Sequence, residues 1–290
     1  LELSEEILNQ LRGKLQNFQK TNFEGKTVED VKNELHEFYN SYSIVIANLG
    51  RCPVFRVRKI ENSHEHNTLK DVWCPSASFV KKLGRANNIG ESMFYGALDY
   101  ETAIKEVDVK IGESFSLAVY NLKEKENFER SSVVIRPSIP SGYYCDSMSL
   151  FGLELSDFIV YPGEETKYIR SCAISSILLN LPYKDSLLYP SVKNNDSVNI
   201  VMKELDAKIR LSLNLVLTCQ CISLNNYVVF EVKQPTTDGY LHLLHNLYKQ
   251  PPPLRVNAPK MSFETMFSDQ KILSSAQEIE DLLSSVLVKR

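Results

Sequence analysis

Gly84-Arg85-Ala86-Asn87-Asn88-Ile89-Gly90-Glu91-Ser92-Met93-Phe94-Tyr95, with Glu106 shortly after it, is the stretch on which the reading of this chain turns. It runs from turn to strand to helix. Gly84 and Gly90 bracket Arg85, so the backbone can fold tightly there. Ser92–Ala97 reads as a strand, and Asp99 is a good N-cap for a helix over about Tyr100–Lys110. In that helix Ala103, Glu106 and Val107 share a face, because steps of three and four residues coincide. A carboxylate is thereby set at the wall of the core. An arginine suits a phosphate, a tyrosine face suits a flat ring, and a carboxylate supports a sugar hydroxyl or a developing cation. Each residue also has a plainer reading, Glu106 as a surface partner of Lys105 or Lys110 and Tyr95 as core packing. The stretch is no G-x-G-x-x-G loop and the chain has no Walker A sequence, so a kinase or Rossmann reading lacks support.

Working outward, Val54-Phe55-Arg56-Val57-Arg58 alternates apolar and basic residues, as a half-buried strand does. Phe115–Leu122 and Ser132–Arg136 are strand-like, and Leu187-Leu188-Tyr189-Pro190 ends a short buried strand. Ile209, Leu211, Leu213, Leu215 and Leu217 fall at every second position, which predicts a strand despite leucine's helical preference. Tyr227–Lys233 is another strand. Residues 163–179 look helical, and residues 61–71 read as an exposed loop. Before this body, residues 4–20 and 28–47 form two amphipathic helices, with Leu8, Leu11 and Leu15 in one and Val31, Leu35, Phe38 and Tyr39 in the other. That hairpin is either a partner surface or a packed appendage. After about Tyr240 the pattern weakens. Pro251-Pro252-Pro253 is a stiff spacer, and residues 270–288 look like a last amphipathic helix. The pattern predicts an α+β fold with seven or eight strands. Three regions follow: an N-terminal helical extension (1–49), a main α+β body (50–233) and a C-terminal extension (234–290).

Composition narrows the function classes. A net charge of −3 gives no general pull toward nucleic acid or an anionic membrane. Residues 51–90 nevertheless hold eight Lys or Arg against three acids, which suits a small anionic ligand or a solvated charged face. No apolar run is long enough for a membrane helix. The acidic start Leu1-Glu2-Leu3-Ser4-Glu5-Glu6 is unlike a signal peptide. Six dispersed cysteines without C-x-x-C spacing point to reduced thiols in a cytoplasmic protein.

Ser191 follows the strand ending at Tyr189-Pro190, and Asn199 lies a little further on. A serine and an asparagine so placed can position substrate hydroxyls or a phosphate. No G-x-S-x-G frame surrounds Ser191 and no histidine is an obvious base for it, which argues against a hydrolase triad. His64 and His66 lie in a polar loop without a third ligand, so no metal site is expected. His242 and His245 would share a helical face as packing or surface residues.

Taken together, these pieces resemble the RES domain, a family named for arginine, glutamate and serine and best known as the toxin half of bacterial toxin–antitoxin pairs. Phe55-Arg56 looks like its opening arginine strand. Gly84-Arg85-Ala86-Asn87-Asn88-Ile89-Gly90 resembles its G-R-x-N-x-x-G segment. Phe94-Tyr95 and Thr102-Ala103-Ile104-Lys105-Glu106 look like its tyrosine strand and glutamate helix. Leu188-Tyr189-Pro190-Ser191-Val192 with Val198-Asn199 resembles its Y-P-S…N element. The resemblance covers about residues 50–233. Ala86 departs from the usual aromatic residue, and the extensions and the 61–70 loop exceed the compact toxin form.

The resemblance implies a mixed or antiparallel β core similar to ADP-ribosyltransferases, and an enzyme that consumes NAD⁺ as substrate, with inorganic phosphate or water taking the ribose carbon. No separate cofactor and no metal are implied. By carry-over, Arg56 and Arg85 would hold the pyrophosphate or incoming phosphate, and Tyr95 would stack on nicotinamide or ribose. Glu106 would orient ribose hydroxyls and stabilise the cationic transition state, while Ser191 and Asn199 would complete the pocket. An antitoxin or immunity partner and a homo-oligomer are compatible with this, and a role as toxin or antiphage defence effector is the expectation. The alternatives are a protein mono-ADP-ribosyltransferase using the same pocket, and a degenerate binding module.

Overall fold

The computed structural model describes residues 5–39, 45–47, 49, 52–61, 65–123, 131–135, 168–194 and 197–254. The predicted helix over 270–288, along with His64, Arg136 and Cys145, lies outside them. Among the described residues ten strands, more than the seven or eight predicted, form a single sheet: β1 (Val45–Ala47), β2 (Pro53–Lys59), β3 (Met93–Ala97), β4 (Ser114–Leu122), β5 (Ser131–Val134), β6 (Lys184–Pro190), β7 (Val198–Lys203), β8 (Leu211–Ser223), β9 (Asn226–Pro235) and β10 (Leu241–Asn246). Their order is β1-β5-β6-β7-β3-β2-β4-β8-β9-β10. The β5–β6 pairing is parallel and the other pairings are antiparallel. The helices are α1 (Glu5–Lys20), α2 (Val28–Tyr39), α3 (Leu69–Val72), α4 (Tyr100–Val107), α5 (Tyr168–Leu179) and α6 (Glu204–Arg210). The expected α+β class with a mixed, mostly antiparallel core is what the chain adopts.

Alternation along the strands assigns the core to two faces. In β7, Val198, Ile200 and Met202 point to one side with Val54, Phe94 and Tyr120, while Val201 points to the other. The second face carries two separate apolar clusters. One joins Val31 and Leu35 of α2 to α5, Met93, Leu187 and Val201. The other joins Ala103 and Ile104 of α4 to Phe55, Phe115, Leu117, Leu215 and Val229. Burial of Val31 and Leu35 makes α2 part of the first cluster, so the helical hairpin is packed onto the body.

β2 and β3 meet at one residue pair only, Phe55↔Ala97. Beyond that pair the two strands part, and the opening falls between the two clusters. Gly96 permits the contact that remains: a Cβ there would lie 2.8 Å from Val54 Cγ1 and 3.0 Å from the Phe55 carbonyl oxygen.

Several local expectations are corrected. The helix predicted over 28–47 ends at Tyr39, and the β-branched Val45-Ile46 lies in β1 against β5. The strand predicted from Ile209 begins at Leu211, and Ile209 is an exposed residue of α6. Glu204 and Asp206 in the first turn and Lys208 and Arg210 in the last complement that helix's dipole, a local preference that outweighs the period of two. His242 and His245 stand on β10, not on a helix. The loop predicted over 61–71 contains α3, whose first turn is closed by Asp71 Oδ2 accepting from the Asn67 and Thr68 amides at 3.0 and 2.8 Å. In the same segment His66 is buried, its Nδ1 2.9 Å from Ser116 Oγ.

Candidate active site

Asp99 caps α4 as its sequence predicts, with Oδ1 accepting from the Thr102 amide at 2.8 Å. Two turns on, Glu106 meets the loop after β6 and the start of β7. Its Oε1 accepts from Ser191 Oγ and from Asn199 Nδ2, each at 2.7 Å. Oε2 accepts no hydrogen bond from any described residue. Asn199 is almost fully buried, yet its Oδ1 has no hydrogen-bond partner among the described residues. Two acceptors, Glu106 Oε2 and Asn199 Oδ1, therefore remain for groups that donate.

These residues border a cleft of about 210 Å³ at the parting of β2 and β3. Phe55, Val57, Ala97, Ala103 and Val107 give it an apolar floor, and Tyr95, Tyr189, Arg56, Glu106 and Asn199 give it polar and aromatic edges. None of the lining residues is a serine, threonine, cysteine or lysine. Among the described residues, no cluster of three or more His, Cys, Asp or Glu is suited to a metal ion.

Arg56 spans the seam between the strands. Its guanidinium lies 5.4 Å from the Phe94 ring centroid, and Nη1 donates to the Tyr95 carbonyl at 2.6 Å, where a ladder bond would otherwise be. Desolvation depresses its pKa from the ordinary guanidinium value, with Arg58 acting the same way and Tyr120 opposing. Nε has no hydrogen-bond partner among the described residues. A half-buried cation with no carboxylate beside it among the described residues favours an anionic or strongly polar ligand.

Tyr95 keeps its proton. Burial pushes its phenol well above the usual range. Its hydroxyl donates to Asn87 Oδ1 at 2.9 Å and accepts from the Ala86 amide at 3.0 Å. The hydroxyl is thus consumed in holding the loop, and what the cleft receives is the ring. The G-R-x-N spacing has a physical reason here. Asn87 ties the loop by donating to the carbonyls of Lys82 and Asn88, and Gly84 packs so close that a Cβ would lie 2.1 Å from Asn87 Oδ1. Ala86, where the family usually has an aromatic residue, is buried in the first cluster with its amide on Tyr95.

Of the predicted site residues, Glu106, Tyr95, Arg56 and Asn199 line the cleft, and Ser191 reaches it through Glu106. Arg85 stands one layer back, its guanidinium 5.3 Å from the Tyr189 ring centroid, so that Tyr189 forms the wall. The profile of the family described as RES domain matches residues 54–212, more than half of the sequence. The chain belongs to the RES domain family.

Within that RES domain, the sequence did not reveal Tyr189 as a lining residue or Asn87 and Asn194 as organisers of the two loops. The available signals were the tyrosine beside Pro190-Ser191 and turn-forming residues at 193–196. Among solved structures, the chain is similar to one titled the crystal structure of the M. tuberculosis MbcT–MbcA toxin–antitoxin complex. That match has 10% identity, spans 60% of this chain and 86% of that one, and has a TM-score of 0.37. No curated protein sequence matches. No helix among the described residues is long and apolar enough to cross a membrane.

Proposed function

We propose that this RES domain breaks the nicotinamide–ribose bond of NAD⁺ and passes the ADP-ribosyl group to phosphate or water. The observation that carries the reading is the Glu106 carboxylate on the wall of a largely apolar cleft, fixed at Oε1 by Ser191 and Asn199, with Oε2 accepting from none of the described residues. The flat nicotinamide suits the ring faces of Tyr95 and Tyr189, and ribose hydroxyls suit the open acceptors on Glu106 and Asn199. As the glycosidic bond breaks, its electron pair leaves with nicotinamide and positive charge gathers on the ribose carbon. A carboxylate already oriented in a dry site stabilises that charge by about 3 kcal/mol. Ser191 is read as a partner of Glu106 and not as the nucleophile, because both its lone pairs accept from the Lys193 and Asn194 amides and it does not line the cleft. The attacking oxygen then comes from solution. Phosphate gives ADP-ribose 1″-phosphate and nicotinamide, and water gives ADP-ribose, nicotinamide and a proton. The biological role that follows is that of a toxin or defence effector held in check by a partner.

Incubating purified protein with NAD⁺, with and without phosphate, and identifying products by mass tests the reading. Loss of NAD⁺ only with phosphate marks phosphorolysis, and release of ADP-ribose without it marks hydrolysis. Intact NAD⁺ in both arms overturns the proposal, as does ADP-ribose recovered only on a protein acceptor.

A further inference from the structure

Asn194 is absent from the cleft wall, yet it ties together the two segments that hold Glu106. Its side chain is buried, and each polar atom has a partner: Nδ2 donates to Thr102 Oγ1 at 2.6 Å and Ser197 Oγ at 2.9 Å, and Oδ1 accepts from Lys105 Nζ at 2.8 Å. Thr102 and Lys105 belong to α4, the helix of Glu106, while Asn194 and Ser197 belong to the segment after β6. The direction of each bond is set. The Thr102 hydroxyl donates to Asp99 Oδ2 at 2.7 Å, so only its lone pair faces Asn194, and that fixes the orientation of the Asn194 amide group.

The main chain carries the order onward. Ser191 Oγ accepts from the Lys193 amide at 3.1 Å and from the Asn194 amide at 3.0 Å. With both lone pairs engaged, the hydroxyl proton goes to Glu106 Oε1 at 2.7 Å, its one acceptor among the described residues. Lys193 Nζ adds a bond to the Glu106 main-chain carbonyl at 3.1 Å.

We propose that Asn194 is a positioning residue for Glu106: it holds the turn after β6 so that the Ser191 proton engages Oε1 and Oε2 stays available to the cleft. The inference rests on the NAD⁺-cleaving reading for its kinetic test, though not for its structural one. A hydrogen bond lost two residues from the cleft then acts on the chemical step more than on binding. A misplacement of about 1 Å in a reacting group is enough for a large loss of rate.

The test uses Asn194→Ala and the near-isosteric Asn194→Asp, which retains an acceptor for Lys105 but has no N–H for Thr102 and Ser197. In both variants kcat for NAD⁺ cleavage is expected to fall about tenfold or more, with KM within about twofold of wild type. Lys105→Ala, which removes only the peripheral bond, is expected to stay within about twofold in both constants. A crystal structure of either variant is expected to show Ser191 Oγ and Glu106 Oε1 separated beyond about 3.5 Å. Unchanged kcat in both variants, a rise in KM that accounts for the whole loss, or a retained Ser191–Glu106 bond overturns the inference. If Asn194→Ala fails to fold, Asn194→Asp carries the same comparison. If wild-type protein leaves NAD⁺ intact, the functional reading falls, and the Ser191–Glu106 distance in the variant still decides the positioning role.

Discussion

Arg85 lies over the ring of Tyr189, its guanidinium 5.3 Å from the centroid, and so acts on the cleft through an aromatic wall. A cation over a ring face anchors that ring. The contact is worth about 0.5–2 kcal/mol, depending on how dry it is. Arg85→Ala is accordingly expected to raise KM for NAD⁺ by about tenfold while the far-ultraviolet spectrum and the thermal midpoint stay close to wild type. Loss of folding in that variant would make Arg85 structural.

Glu106→Gln separates charge from shape. The glutamine keeps a carbonyl oxygen for Ser191 and Asn199, so the protein is expected to fold normally. Turnover should fall by at least about 100-fold, the scale of losing one preorganised charge. Expression of wild type should arrest growth and deplete NAD⁺, whereas Glu106→Gln should do neither. Full activity in Glu106→Gln would remove its assigned role.

Gly84→Ala tests the Asn87 knot. The new Cβ would lie 2.1 Å from Asn87 Oδ1, and Asn87 is buried and bonded to Lys82, Asn88 and Tyr95, so it cannot swing aside without losing partners. We expect a destabilisation of about 1–3 kcal/mol in urea unfolding, the cost of leaving buried polar groups unpaired. Tyr95→Phe should account for part of the same loss. A neutral Gly84→Ala would show that the loop reorganises freely.

Alkaline stability follows from buried phenols. Burial raises the pKa of Tyr95, Tyr120 and Tyr189 above the ordinary value of 10. Below that value the folded and unfolded chains hold these protons equally. Above it the unfolded chain releases them while the folded chain retains them, so stability declines as pH rises, until the folded groups ionise too. Each group contributes about 1.4 kcal/mol per pH unit in that window, or about 4 for the three together. Tyr120→Phe should reduce the slope of unfolding free energy against pH by about one such step, and an unchanged slope would refute the assignment.

Much of the fold was legible because its signals are local. The N-cap at Asp99, the alternation in Val54–Arg58 and the apolar run before Pro190 each declare an element without long-range help. Where local signals competed, the pattern misled: Ile209 fits the period of Leu211–Leu217, yet the charges at Glu204, Asp206, Lys208 and Arg210 make that residue helical. The site was legible as residues and not as layers. Arg85, Tyr95, Glu106 and Ser191 are marked by motif, but the placement of Tyr189 on the cleft and against Arg85 depends on the pairing of β6 with β7. Asn194 was hidden for the same reason, since its partners Thr102 and Lys105 come from a helix remote in sequence.

The parting of β2 from β3 gives the ten-stranded sheet an unusual mechanical character. Two half-sheets, one ending in β3 and the other beginning with β2, share the single register pair Phe55↔Ala97 and a side-chain strut from Arg56 to the Tyr95 carbonyl. Backbone ladders run through each half-sheet, whereas side chains such as Val54, Phe94 and Ile200 carry the packing across the joint. A molecule that touches Asn199 on one plate and Phe55 on the other would splice the two, so occupancy of the cleft should be felt as rigidity across the whole sheet.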